Sequence, residues 1–186
     1  AGGDEQGTAE IFDPSTGHWT PTEKTPRFMV TGGVATLLAD GRVLVVLGVN
    51  PNVYYPTSSI SVMLYNPDTN SWSAASSMDQ SPVGWHTATL LKDGRVLVVS
   101  PFLEGDVTDL RSTAELYDPA TDSWSPAGSL TQVRAGHTAT LLSNGAVLVV
   151  GGATDEYLTL VDSSEAAEIY DPATNSWSAA KSMALP

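Results

Sequence analysis

The chain has no cysteine. Disulfides, thiolate metal sites and cysteine nucleophiles are excluded together. Cations are scarce: 8 Lys and Arg stand against 21 Asp and Glu, a formal charge of −13 at pH 7. A surface of that sign repels phosphate backbones and anionic lipid, so nucleic acid and membrane are excluded as expected partners. No apolar run approaches the roughly 20 residues a spanning helix needs. No Asn-x-Ser/Thr sequon, Gly-rich phosphate loop or Ser-His-Asp spacing occurs either. The chain opens on Ala1 without a signal peptide, which leads to the expectation of a processed or excerpted piece.

What is present is repetition. The 186 residues are 41% hydrophobic, enough for a folded core. Tyr170-Asp171-Pro172-Ala173-Thr174-Asn175-Ser176-Trp177 has earlier copies at Phe12–Trp19, Tyr65–Trp72 and Tyr117–Trp124. The tryptophans recur at 72−19 = 53, 124−72 = 52 and 177−124 = 53 residues. A fixed period in this range marks a repeat architecture. Within each copy an Asp or Asn accepts local backbone hydrogen bonds and the following Pro presets φ for a type I turn.

Each full period also carries a second hairpin signal. Val34–Leu38, Asp40-Gly41 and Val43–Leu47 match Thr87–Leu91, Asp93-Gly94 and Val96–Val99, then Thr138–Leu142, Asn144-Gly145 and Val147–Val150. Asp-Gly between apolar runs predicts a two-residue type I′ turn, in which both residues take positive φ. The second run is apolar without alternation, as in a strand covered on both faces. One period therefore holds four short strands joined up and down, the number in a propeller blade.

These residues resemble the kelch repeat, in its galactose-oxidase-like bacterial form. The likeness rests on His-Thr-Ala-Thr-Leu-Leu, Asp-Gly-Arg-Val-Leu-Val-Val, paired glycines and Tyr-Asp-Pro-x-Thr-x-Ser-Trp, and extends over nearly the whole chain. It implies an all-β fold: a kelch-type β-propeller with three full four-stranded blades and an N-terminal half blade, part of a larger ring. The expected divisions are an outer half blade at 1–26 and blades at 27–79, 80–131 and 132–186. Gly33 stands where His86 and His137 stand, and Gly151-Gly152 becomes Leu47-Gly48 and Ser100-Pro101, so the middle units should bend differently after their second strand. The resemblance implies that Tyr65, Tyr117 and Tyr170, with Trp19, Trp72, Trp124 and Trp177, fill the gaps between blades; a buried Trp removes about 150–250 Å² from water. It also raises copper-radical oxidase chemistry, which fails here for want of the cysteine and of an adjacent Tyr-His pair. A secreted or cell-surface location in a bacterium is expected.

A residue repeated in every blade serves the symmetry of the fold, whereas one found in a single blade is free to serve a ligand. His86 and His137 share one phase and read as ties between blades, not as a metal pair, since no carboxylate stands beside them at ligand spacing. Glu10, Glu115 and Glu168 recur in the third strand and read as structural acceptors or a solvated edge; equivalent places on separate blades do not make a catalytic carboxylate pair. His18 reads as solvated. The non-repeating stretches lie between the second and third strands, and there Tyr54, Tyr55, Phe102, Glu104, Asp106, Asp109, Asp155 and Tyr157 combine aromatic and acidic side chains suited to a protein or carbohydrate surface. The bland alternative is long loops closing over the blade edges. Glu104, Asp106 and Asp109 lack the glycine turn of a calcium loop. Trp85 and Phe28, outside the repeat phase, are weaker candidates near the axis. The expected function is a noncatalytic interaction module without cofactor or metal, its remaining blades supplied by a longer parent chain or another subunit. The alternatives are a fragment of a propeller hydrolase or lyase whose active site lies partly in missing blades, and a structural accessory subunit.

Overall fold

The computed structural model describes residues 8–25, 33–48, 62–79, 84–103, 110–153 and 164–184. Every element there is a strand, and all pairing is antiparallel. β1 (Glu10–Asp13) and β2 (His18–Pro21) form a two-stranded sheet. Three four-stranded sheets follow, each ordered as in the sequence. The first holds β3 (Val34–Leu37), β4 (Val43–Val46), β5 (Val62–Asn66) and β6 (Ser71–Ala74). The second holds β7 (Thr87–Leu90), β8 (Val96–Leu103), β9 (Leu110–Asp118) and β10 (Ser123–Pro126). The third holds β11 (Thr138–Leu141), β12 (Val147–Val150), β13 (Ala167–Asp171) and β14 (Ser176–Ala179).

The first strands converge: β3 lies beside β7, and β7 beside β11. Thr36 Oγ1 donates to the Ala88 carbonyl at 3.1 Å, from β3 to β7. The sheets therefore stand as blades around a hub, with β3, β7 and β11 innermost. Their second and third strands supply the cores between them. Leu44, Val46, Val62 and Leu64 of the first blade pack against Val96, Val98 and Tyr117 of the second. Leu97, Val99, Ala114 and Leu116, on the opposite face of the second blade, pack against Val147, Val149 and Tyr170 of the third. Alternate residues of β8 thus face different neighbours, which is why the run shows no polar alternation.

The Asp-Gly hairpins form, but not as type I′ turns. The Leu38 amide donates to the Arg42 carbonyl at 2.8 Å and the Gly41 amide to the Leu38 carbonyl at 3.1 Å, which closes a three-residue loop. Only the glycine is left-handed, with φ +88° at Gly41, +90° at Gly94 and +94° at Gly145. The aspartate does a different job: Asp40 Oδ1 accepts from the Arg42 amide at 3.0 Å. A type I turn followed by a left-handed glycine is the three-residue alternative to type I′.

In the second repeated turn the Asx acceptor acts as its sequence indicates. Asp118 Oδ1 accepts from the Ala120 amide at 2.9 Å, and Asp171 Oδ1 from the Ala173 amide at 2.9 Å. The fourth loop residue is left-handed, with φ near +50° at Asn70, Asp122 and Asn175 and +71° at Gly17. Asn and Asp tolerate that conformation and here also accept from a tyrosine hydroxyl: Tyr65 on Asn70, Tyr117 on Asp122 and Tyr170 on Asn175, at 2.7–2.9 Å. In the first copy Phe12 has no hydroxyl and Gly17 no acceptor, so both partners of that bond change together. His18 is exposed and opens β2; it lies just after the turn.

The tryptophans reach backwards. Each stacks obliquely on its cross-strand aromatic at 4.9–5.2 Å between ring centres. Trp124 Nε1 donates to the Ser76 carbonyl at 2.8 Å, Trp177 Nε1 to the Ala127 carbonyl at 2.7 Å, and Trp72 Nε1 to Thr22 Oγ1 at 3.0 Å. Every acceptor belongs to the segment that ends the preceding blade. Trp19 pairs with Phe12 but is 57% exposed. Trp177→Ala should therefore cost about 3 kcal/mol of unfolding free energy in urea titration, whereas Trp19→Ala should cost under about 1 kcal/mol. Equal losses would refute an inter-blade role for the ring.

Candidate functional site

Antiparallel order gives each blade two unlike ends. At one end lie both repeated turns, joining first to second and third to fourth strands. At the other lie the crossovers from second to third strand and the links to the next blade. The constant turns are occupied in holding blades together: Arg42 Nη2 donates to the Pro119 carbonyl at 3.2 Å, Lys92 Nζ donates to the Ser143 carbonyl, and Asp122 accepts from the Ser76 amide and hydroxyl at 3.0 and 3.1 Å. Variation is concentrated at the crossover end.

There the blades differ after their second strand. In the third blade Gly151 and Gly152 leave the strand with φ +69° and +91°, and a Cβ on Gly152 would meet the Ala135 carbonyl oxygen at 2.9 Å. Where Ser100-Pro101 replaces the glycines, the strand continues. β8 and β9 stay paired past Val99↔Ala114 through Ser100↔Thr113, Pro101↔Ser112, Phe102↔Arg111 and Leu103↔Leu110. Four residues at about 3.3 Å each carry this hairpin roughly 13 Å beyond the ladder of its neighbours. Phe102, expected in a loop, is thus a half-buried strand residue directly opposite exposed Arg111. Their parity with Val98 and Tyr117 turns both toward the first blade.

The histidines tie blades, as their shared phase indicates. His86 Nε2 donates to the Val46 carbonyl at 3.1 Å, and His137 Nε2 meets Thr87 Oγ1 at 2.9 Å. Gly33 replaces them in the first blade, where a Cβ would lie 3.2 Å from Leu47 Cδ2. The Nδ1 atom of His86 is buried without a hydrogen-bond partner among the described residues. Burial lowers the His86 pKa, and burial followed by the Arg134 charge brings His137 down to about 4. Among the described residues no three His, Asp or Glu side chains gather as a metal site requires.

Arg134 was not singled out by its sequence position. It is fully buried, with Nη2 on Glu168 Oε1 at 2.9 Å and Nη1 on the Gly151 and Ala166 carbonyls at 2.7 and 3.0 Å. Glu168 Oε2 also accepts from the Thr131 amide at 2.9 Å, and Glu115 Oε2 from the Asp79 amide at 3.1 Å. These glutamates hold the links between blades; Glu10 is exposed. Val83 and Val30 occupy the repeat position of Arg134. A residue peculiar to one blade can therefore be structural, and the signal available was Arg134 preceding a Gly-His pair in the one full blade that has paired glycines.

Among the described residues, Trp85 is the exposed non-repeating aromatic at this end. It precedes β7, is 40% exposed and has φ +60°. Its carbonyl accepts from the Gly136 amide at 3.1 Å, and Gly136, its repeat counterpart, has φ +68°. Tyr54, Tyr55, Glu104, Asp106, Asp109, Asp155, Tyr157 and Phe28 lie outside the described residues.

Residues 133–184 match the family model for the kelch motif. Kelch-like protein 21 of Danio rerio is 39% identical over 74 residues, 40% of this chain and 11% of that protein. Kelch-like protein 21 of Mus musculus is 29% identical over 117 residues, covering 63% and 17%. An F-box/kelch-repeat protein of Arabidopsis thaliana is 28% identical over 152 residues, covering 80% and 38%. The chain thus spans 11–38% of the length of these relatives. A solved structure titled "Structure of YjhT" superposes with a TM-score of 0.70 at 18% identity, over 91% of this chain and 56% of that one, a likeness of fold.

Neutral His137 gives a pH dependence of defined sign. Unfolded, the ring titrates near 6.5; folded, it stays neutral down to about 4. Between those values the unfolded state binds the extra proton, so the stabilisation is complete above pH 6.5 and is lost as pH falls toward 4. The loss, on the order of 2–3 kcal/mol, should appear as a falling urea midpoint from pH 7.5 to 4.5 that His137→Gln flattens; an unchanged slope would contradict it. Arg134→Met, which leaves Glu168 buried and unpaired, should cost about 3–5 kcal/mol. Arg134→Met with Glu168→Met should recover a large part of that in the same titration.

Proposed function

The chain carries kelch repeats folded as propeller blades, and on that premise we propose that it is a noncatalytic module that binds another protein through its crossover end. Kelch-repeat proteins are generally protein-interaction modules. The observation that carries the reading is the extended β8–β9 hairpin, which displays the cross-strand pair Phe102 and Arg111 beyond the shared scaffold. An aromatic beside a guanidinium is the composition of interface anchors. The loop residues Tyr54, Tyr55, Glu104, Asp106, Asp109, Asp155 and Tyr157 are proposed to complete that surface.

A second contact is proposed at β1–β2. Trp72, Trp124 and Trp177 each bond the preceding blade's end, and exposed Trp19 has the same aromatic partner and the same place in its hairpin. Its face fits a further blade, from the parent chain or another subunit. Adding the preceding parental period should slow amide exchange across Glu10–Pro21, and unchanged exchange would refute that contact.

Selection of a peptide-display library of unbiased composition on the chain tests the main reading. Binders should lose at least about tenfold affinity on Phe102→Ser, a loss of 1.4 kcal/mol or more, while the urea midpoint stays within about 0.5 M. Failure to select any binder, selection of a glycan alone from a parallel array, or turnover of a generic hydrolase substrate would overturn it.

A further inference from the structure

Trp85 combines three properties that do not occur together elsewhere among the described residues. It is a large apolar side chain left in solvent, its backbone is left-handed, and it breaks the repeat. The left-handed positions of the turns are held by Asn70, Asp122 and Asn175, whose side chains accept a tyrosine hydroxyl there, and by glycines. A bulky residue at φ +60° is an outlier that costs on the order of 1–3 kcal/mol. The corresponding positions in the neighbouring periods are Gly32 and Gly136. Glycine would satisfy the backbone at Trp85, including the bond from its carbonyl to the Gly136 amide. The indole therefore stands where the backbone favours glycine. It is not a blade anchor, since the anchors are the half-buried tryptophans of β6, β10 and β14.

The position limits what such a ring can meet. Trp85 precedes the innermost strand of its blade and lies at the end from which β8–β9 projects. The net charge of the chain selects the ligand: it is −13, and Arg134, the buried cation of the adjoining link, is paired with Glu168. A negatively charged chain draws cations, and an indole face is the best aromatic acceptor for an ammonium or guanidinium.

We propose that Trp85 is the ligand-contacting residue of an axial subsite that takes a Lys or Arg side chain from a basic segment of a partner protein. The subsite rests on the interaction-module reading and specifies the chemistry that module recognises.

The test compares the wild type with Trp85→Gly and Trp85→Phe, titrated by calorimetry with an Arg/Lys-rich peptide, a Glu-rich peptide of equal length and a neutral oligosaccharide. The wild type should bind the basic peptide, more weakly at 300 mM than at 50 mM salt, in line with screening. Trp85→Gly should weaken it about three- to tenfold, with the fold intact by circular dichroism. Trp85→Phe, which keeps an aromatic ring at the site, should stay within about threefold. Unchanged affinity in Trp85→Gly would overturn the subsite, as would preference for the acidic peptide or the sugar. If the library yields binders that depend on Phe102 but are neither basic nor sensitive to Trp85, this inference falls and the module reading stands. If it yields none, the module reading itself has failed.

Discussion

An indole reaching from the last strand of one blade to the end segment of the blade before it is the contact on which the rest of the structure depends. No blade can bury its own apolar faces. Val46 and Leu44 are dry because Val96, Val98 and Tyr117 stand opposite, and Leu97 and Val99 because Val147, Val149 and Tyr170 do. The tryptophan closes the outer, diverging part of that gap. Its ring stacks on the cross-strand tyrosine, and its single N–H is spent on an acceptor one blade away. Stability in such an array is a sum of blade and neighbour terms, so each blade's core is as good as its neighbour.

Around that contact the turns work as adaptors. The left-handed residue of the second turn serves its own tyrosine hydroxyl and, as Asp122 and Asn175 show, the preceding blade as well. Pairing with the Ser76 amide and hydroxyl and with Tyr117, against opposing burial, leaves the Asp122 pKa lowered. At the far end histidines, and in one blade a buried Arg–Glu pair, carry the same duty. Polar groups are packed where the chain passes between blades because those links leave backbone donors such as the Thr131 and Asp79 amides without ladder partners. The scaffold uses most of its distinctive residues on itself. The surface proposed for recognition is the crossover end, with Phe102, Arg111 and Trp85.

Much of the fold was legible because repetition multiplies a weak local signal. One Asp-Pro-x-Thr-x-Ser-Trp stretch is a turn; four copies about 53 residues apart are an architecture. The Asp-Gly signal located its hairpins but named the wrong turn. Asp40 looks permissive for positive φ, yet its carboxylate is more useful capping the Arg42 amide while Gly41 takes the left-handed place. Phe102 belongs to a non-repeating stretch that reads as loop, and nothing local to Ser100-Pro101 shows that the strand runs on through it. A lone arginine in a polar link looks solvated, and only the convergence of three carbonyl or carboxylate partners in space marks Arg134 as buried.

The sequence by itself determined strand count per period, blade order, the aromatic anchors and the chemistry that the chain cannot perform without cysteine. These are matters of spacing and composition, which survive without coordinates. Only the tertiary structure decided that the indoles point back one blade, that a hairpin outgrows its neighbours and that Trp85 sits strained beside the hub. Those facts depend on which residues, far apart along the chain, come to share one gap, and no local pattern encodes that.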